Sequence, residues 1–410
     1  MENKLDVKKT LLLSFGFFAS SLAWSVYNSF MPQILETFIT STMGIGIIMT
    51  IDNIFGVIFQ PVFGRLSDKT HTRFGRRMPY IIVGIPVCAA AFFLIPKMTN
   101  LWSLMAMLIV FTFVMSAWRS PVVALMPDIT PGKFRSQANG IVNLMGGLGS
   151  LLAFAVGGLL FKMGGFPLPF LMSAVMMVLS LVVLVLFIRE PKQSYEPEAK
   201  TEKSSVKLEK GEMKSLLFIL FGVFFWFAGY NAVETFFTLY ATNSLGMDAG
   251  SAAMTLAVFS LTLIAFAVPS GFIGAKIGRR KMILIGLIGI TVLFIPLIFI
   301  SNVWLARICL FFGGIFWACV NINSLPMVVR ISGEEKIGAF IGYYYFFSFS
   351  SQIVSPILFG LIRDLTGNYK MLFLYSCIAF AAAAVCLFFV RHGEEPQEIS
   401  ASEILANLDD

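Results

Sequence analysis

The sequence predicts an all-α integral membrane protein: twelve transmembrane helices arranged as two pseudo-symmetric six-helix bundles. Three observations predict it. Charge is scarce, the apolar residues come in runs long enough to cross a bilayer, and the two halves of the chain repeat each other.

Of the 410 residues, 57% are hydrophobic and only 13% are charged, against about 25% charged in a soluble domain. A water-facing surface cannot be assembled from that inventory. Leu104–Met115 and Phe170–Ile188 contain no charge at all. A helix needs about 20 mostly apolar residues to span the hydrocarbon core, and only helices or closed barrels satisfy their backbone there. The short alternating segments of a barrel are not seen.

Twelve spans are expected, at roughly 11–31, 43–66, 79–96, 101–126, 137–161, 168–188, 215–242, 250–273, 282–300, 304–329, 337–362 and 371–391. Residues 189–214 are polar, without apolar periodicity, and read as a solvated cytoplasmic linker between a bundle at 1–188 and another at 215–391. Residues 392–410 read as a short acidic cytoplasmic tail. Met1–Thr10 is polar and leads into a first span retained in the mature chain rather than a cleaved signal.

Orientation follows from Lys and Arg. With the N-terminus inside, 24 of the 30 fall on the cytoplasmic side. Lys97, Lys162, Arg307, Arg363 and Lys370 fall outside, and Arg119 lies within a span. That bias predicts cytoplasmic termini, and the cytoplasmic membrane as location. The net charge of +7 thus needs no nucleic acid as partner.

The repeat is visible in two places. Trp118 and Pro127 close the fourth span as Trp317 and Pro326 close the tenth, nine residues apart in each. Gly140 and Gly158 recur as Gly342 and Gly360, eighteen apart in each. Parallel repeats of this kind put a substrate site between the halves near the midplane. Five scattered cysteines and two histidines in loops, His71 and His392, offer no disulfide framework, metal centre or catalytic triad. Neither metal nor cofactor is expected, and no nucleotide-binding Gly loop is present; the chain is not expected to be an enzyme, and a monomer is expected.

After the second span comes Gly64-Arg65-Leu66-Ser67-Asp68-Lys69-Thr70-His71-Thr72-Arg73-Phe74-Gly75-Arg76-Arg77, and after the eighth Gly271-Phe272-Ile273-Gly274-Ala275-Lys276-Ile277-Gly278-Arg279-Arg280. The pair resembles the two loop signatures of the major facilitator superfamily, whose fold the twelve spans also match. The resemblance implies a cytoplasmic latch from Gly64, Asp68, Arg73, Gly75, Arg76 and Arg77, with Asp68 paired to Arg76 or Arg77. Ala275 stands where the second copy would have its Asp. The plainer alternative is a basic loop that only sets topology. Gly56-Val57-Ile58-Phe59-Gln60-Pro61-Val62-Phe63-Gly64 and the longer first loop, through Met78-Pro79-Tyr80-Ile81, resemble a narrower group: the sucrose/proton symporters and the wider glycoside–pentoside–hexuronide:cation symporter family. Weaker support comes from Ala124-Leu125-Met126-Pro127-Asp128. Two departures matter. Gly56 and Gln60 replace the two sodium-binding Asp of the melibiose carrier, so a proton is the expected coupling ion and sodium is not. Val123 occupies the place of an Arg in the sucrose pattern, with Arg119 one turn further in as its substitute.

A charge at the bilayer centre costs at least about 2.5–3.5 kcal/mol, so those that persist are functional candidates. Asp52 in the second span is the expected proton-coupling carboxylate, with Glu234 in the seventh as a second. Arg119 lies about 10 Å from Asp52 in depth, by helical rise, and its guanidinium suits sugar hydroxyls or an ion pair. Tyr230, Asn231 and Glu234 are three and four residues apart and share a helix face, a combination suited to a sugar; an outer gate is the alternative for Glu234. Tyr27, Asn28, Asn321 and Gln352 complete the expected substrate site. Asn143 and Asn323 are weaker candidates, and interhelical glue is the alternative for all of these.

The expected function is secondary active transport: proton-coupled symport of a small-molecule sugar or glycoside, by alternating access. One alternative is a drug/proton antiporter of the same fold, although the fifth span has Gly146-Gly147-Leu148-Gly149 and Gly157-Gly158 without the antiporters' usual proline. Another is a non-transporting sensor or scramblase.

Overall fold

The computed structural model describes residues 5–190, 210–331 and 337–390. Most of the anticipated linker, and the whole tail at 392–410, lie outside the described residues. Among those described, twelve helices are long and apolar enough to cross a membrane: α1 Val7–Glu36, α2 Thr42–Lys69, α3 Met78–Lys97, α4 Leu101–Ile129, α5 Gln137–Gly164, α6 Pro167–Phe187, α7 Gly211–Leu245, α8 Ala249–Ile277, α9 Arg279–Phe299, α10 Val303–Arg330, α11 Phe340–Thr366 and α12 Met371–Phe388. Most run past the apolar limits read from sequence, because capping carries the backbone ladder into polar residues. The Asp6 carboxylate accepts from Lys9 N at 2.9 Å ahead of α1, and Asp248 caps α8 through Ser251 N at 2.9 Å. Prolines such as Pro61, Pro121, Pro269 and Pro326 sit inside helices, where neighbouring helices and hydroxyls re-satisfy the freed carbonyls. Between α2 and α4, Ser120 Oγ donates to the carbonyl of Gln60 at 2.7 Å, one residue before Pro61.

Packing follows the repeat. In the first six helices α1 lies on α5 and α6, α2 on α4, and α3 on α4 and α6. Each pair recurs six helices later: α7 on α11 and α12, α8 on α10, and α9 on α10 and α12. Between the halves run two seams, α5 with α8 and α2 with α11, and α1 meets α7 between them. Buried aromatics fill each half. Phe92 packs on Phe111 and Phe170 in one, and Phe294 on Phe373 in the other.

The seams are closed at the end away from the basic loops. A methyl on Gly158 would lie 2.5 Å from the Gly250 carbonyl, and one on Gly46 2.4 Å from that of Pro356. Only glycine lets the backbones approach so closely. At the basic end of the same helices, a methyl on Gly140 or Gly342 would meet nothing within 4 Å.

Candidate functional site

The intramembrane charges converge between the halves. In α2 the helix tightens at Thr50, whose N–H is shared between the carbonyls of Gly46 and Ile47 at 3.2 Å. Asp52 therefore sits in the first turn of the segment that follows, where a carboxylate is favoured. It accepts from Asn53 N at 2.7 Å and from Asn53 Nδ2 at 3.0 Å. Asp52 is within electrostatic reach of Arg119 on α4 and of Glu234 on α7. Asn28 Nδ2 on α1 donates to Glu234 Oε1 at 3.4 Å, a polar contact across the midline.

Glu234 faces a cavity of about 110 Å³. Ser25 and Phe154 approach it from the first half, and Tyr230, Phe259 and Phe294 from the second; among the described residues Glu234 is the one charged group in its wall. A second, larger cleft of about 530 Å³ lies toward the basic end. Gly56, Gln60, Pro61 and Gly64 form one side of it, and Gly342, Tyr345 and Phe349 the other.

The other sequence candidates divide. Tyr27 is wholly buried between Trp24 and Phe111, and its hydroxyl has no partner among the described residues. Tyr230 lines the cavity, but one ring face is stacked on Trp317 at 4.3 Å and 3°. The shared face expected for Tyr230, Asn231 and Glu234 does not hold. Asn231 is turned to Ser351 Oγ on α11 at 3.5 Å and is absent from the cavity wall, since adjacent residues point about 100° apart on a helix. Gln352 is half-buried and lines neither cavity. Asn321 is half-buried, with its carbonyl accepting from Ser324 Oγ at 2.9 Å. Asn323 donates to the carbonyls of Ser270 and Cys319 and holds α10 to α8.

In the basic loop Asp68 pairs with Arg77 at 2.5 Å, whereas Arg76 binds Asp128 at 2.7 Å and Glu190 at 3.7 Å. Arg77 also binds Asp128, at 3.0 Å, and donates to the Gly64 carbonyl at 3.2 Å and to Ser67 Oγ at 2.5 Å. Arg73 instead lies over the Phe74 ring. The network joins the ends of α2, α3, α4 and α6 within one half. Gly75 and Gly278 both take left-handed backbone, with φ of 109° and 99°. After Gly75, the N–H of Arg77 donates to Glu190; after Gly278, Arg280 donates to the carbonyls of Leu387 and Phe388. Asp128 closes a segment already conspicuous in the sequence, whereas Glu190 reads there as linker charge.

At the opposite end the halves are tied by carboxylates that sequence reasoning missed. Asp364 on α11 accepts from Ser41 Oγ at 2.7 Å, Thr42 N at 2.8 Å and Met43 N at 3.0 Å, capping α2 from the other half. Glu36 accepts from Asn243 Nδ2 at 3.0 Å and from the Tyr369 hydroxyl at 3.2 Å. Burial pushes the Tyr369 phenol up to about 12, so it stays protonated and keeps donating. Lys162 approaches Asp248 at 3.9 Å. Burial alone would raise the Asp248 carboxyl, but the Ser251 hydroxyl and N–H, helped by Lys162, hold it below the usual range.

The sequence profile of the Major Facilitator Superfamily matches residues 13–256 and 219–408. A class H tetracycline resistance protein of Pasteurella multocida is 24% identical over 385 residues, covering 90% of this chain and 93% of its own. Multidrug resistance protein MdtG of Escherichia fergusonii is 22% identical, covering 97% and 98%. Among solved structures, a bacterial homologue of the human lysosomal transporter Spinster, inward-facing and occupied, superposes with a TM-score of 0.71 at 14% identity, over 93% of each chain. The nucleoside transporter NupG gives 0.68 at 12% identity, over 93% of this chain and 98% of its own. At such identities the structures speak for the fold alone.

Proposed function

The chain belongs to the Major Facilitator Superfamily, and on that premise we propose that it is a proton-coupled exporter of lipophilic organic compounds, working by alternating access. Membership makes it a multi-pass membrane transporter and not an enzyme. The observation that carries the finer reading is the wall chemistry around Glu234: one carboxylate and the hydroxyls of Ser25, Ser150, Ser260 and Tyr230 in a wall otherwise aromatic and aliphatic, at the junction of the halves. A carboxylate so enclosed needs a positive partner or a strong donor. A proton supplies it in one part of the cycle, and a cationic or hydroxyl-bearing substrate competes for it in the other. Among the described residues the wall holds no amide or second charged side chain to fork onto neighbouring sugar hydroxyls, only single hydroxyls beside Glu234. The tetracycline and multidrug resistance proteins, alike along nearly the whole chain, support export. Asp52, with Arg119 as counter-charge, is the second proton site. The proton is the only coupling ion invoked, and the basic end is taken as cytoplasmic.

A second reading, proton-coupled import of a sugar or glycoside, is favoured by one observation. Gly56, Gln60, Pro61 and Gly64, which carry the resemblance to the sucrose symporters, wall the larger cleft.

Proteoliposomes under an imposed proton gradient separate the two. Tetracycline and lipophilic cations should move against the proton flux, and Glu234→Gln should abolish that movement. Labelled disaccharides accumulating with the proton flux, while the lipophilic panel stays inert, would overturn export in favour of import.

A further inference from the structure

The two halves repeat each other, but their interiors are not filled alike. Tyr27-Asn28 in α1 recurs as Tyr230-Asn231 in α7, and Phe111 and Leu310 each stand seven residues before Trp118 and Trp317. In the first half Phe111 is the hub of the packing: its ring meets Trp24, Tyr27 and Phe92 at 5.5, 5.9 and 4.7 Å. In the second half Phe294 takes the part of Phe92, packing on Phe373 as Phe92 does on Phe170. Leu310 stands where the first half has Phe111, and the Tyr230 ring lies on Trp317 instead. The second half is thus one ring short at this place, and Leu310, Phe294 and Tyr230 all line the cavity of about 110 Å³.

The rest of the wall shows how far that cavity goes. Ser150 and Glu234 border it at the junction of the halves. Ile290 and Phe294 of α9, Leu310 of α10 and Phe380 of α12 line it too, each no more than 1% exposed. α9 packs on α8, α10 and α12, and α12 on α7, α9 and α11, all within the second half. The cavity therefore runs from Glu234 behind α7 and α8 into the core of that half. Its mouth is polar and its inner end is hydrocarbon. An apolar cavity of about 150 Å³ takes one benzene, so about 110 Å³ suits at most one flat ring or a short branched alkyl chain.

We infer that this inner end is a selectivity subsite for a single aromatic ring or short branched alkyl arm, carried by a compound whose cationic head meets Glu234 at the mouth, and that Leu310 sets its size. The inference rests on the export reading for the kind of compound and adds the shape that compound must have: one cationic group and one narrow apolar arm. Broader parts of the same molecule stay between the halves.

Three cations with one head and different arms test this: tetramethylammonium, benzyltrimethylammonium and naphthylmethyltrimethylammonium. Their affinities for the purified protein are read from the rise in melting temperature with concentration. Burial of one ring should make the benzyl compound bind about 10- to 100-fold tighter than tetramethylammonium, and the naphthyl compound should gain less. Leu310→Phe supplies the ring that the first half has and should erase the benzyl advantage. Leu310→Ala makes room for a second ring and should reverse the order of the benzyl and naphthyl compounds; it decides the matter if Leu310→Phe does not fold. Glu234→Gln should weaken all three by a common factor. The inference is overturned if the parent shows no benzyl advantage, if a Leu310→Phe protein that melts like the parent keeps it, or if Leu310→Ala keeps the parent's order. A loss confined to the benzyl compound in Glu234→Gln would set the arm, not the head, against Glu234 and would overturn it as well. Binding needs no flux, so the two readings fail separately. A ring preference that follows residue 310, with no proton-driven movement of any cation, counts against export and not against the subsite. Movement with a preference indifferent to residue 310 counts against the subsite alone.

Discussion

Removing the Asp364 carboxylate should loosen the outer end of the molecule, and the size of the effect follows from what that carboxylate touches. It accepts the Ser41 hydroxyl and the N–H groups of Thr42 and Met43, so it is a helix cap delivered from the other half of the chain. Loss of a helix cap costs about 0.5–2 kcal/mol, and loss of an anion at a helix N-terminus about 0.3–1 kcal/mol more. The carboxylate is about one-quarter exposed, at 24%, so the electrostatic share belongs toward the lower end. Together they give about 1–2.5 kcal/mol, or about 5- to 70-fold in a two-state ratio. The interaction exists only while the outer seam is closed, so the whole of it favours that state. Asp364→Ala in a bilayer, with spin labels at Thr99→Cys and Ser301→Cys, should raise the ratio of outer-open to outer-closed molecules by that factor. Asp364→Glu should restore part of it. A thermally stable Asp364→Ala protein with an unchanged outer distance distribution would show that the glycine contacts alone hold the seam, and the reasoning would fail.

Three further outcomes can be measured. Asp52→Asn should retain ligand binding and counterflow exchange but lose uphill transport; persistence of gradient-driven accumulation would remove Asp52 from the coupling route. Arg77→Met leaves Asp128 to Arg76 alone and strips Asp68, the Gly64 carbonyl and Ser67 of a nearly buried donor; with Asp68 more than half exposed it should cost about 1–3 kcal/mol, read as a lower melting temperature in detergent, and an unchanged melt would make the network ornamental. Asp248 has its carboxyl held below the usual range, so the folded state binds its proton less readily than the unfolded chain. Its cap is then fully present above the ordinary carboxylate range and is lost as pH falls through the lowered value. Asp248→Ala should melt below the parent at neutral pH, and the two curves should converge in acid.

The membrane class and the twelve spans are legible in the sequence because long apolar runs have few other uses, and the repeat is legible because Trp, Pro and Gly keep their spacing. The approach of Asp52 to Arg119 is also foreseeable, since a charge in hydrocarbon must find company; that Glu234 of the other half lies within their reach is not. The outer clamp is not. Asp364 lies 322 residues from Thr42, and at a helix end beside Arg363 it reads as an ordinary interfacial charge. Asn231 leaves the site for a local reason: spacings of three and four to Glu234 suggest one face, but Asn231 directly follows Tyr230 and points about 100° away from it. Tyr230 keeps its place in the cavity but lends one ring face to Trp317, a partner from α10 that no pattern within α7 announces.

The Gly-Arg-Arg turns of the two halves bear on the chain's history. The first half fastens its turn with acids, Asp68, Asp128 and Glu190, and the second has Ala275 where the first of these stands. Yet Gly75 and Gly278 keep nearly the same φ, and both turns reach the end of the sixth helix of their own half. If the halves descend from one duplicated ancestor, what was inherited is the backbone bend. The side chains that secure it have been free to diverge, one copy toward ion pairs and the other toward the carbonyls of a helix end.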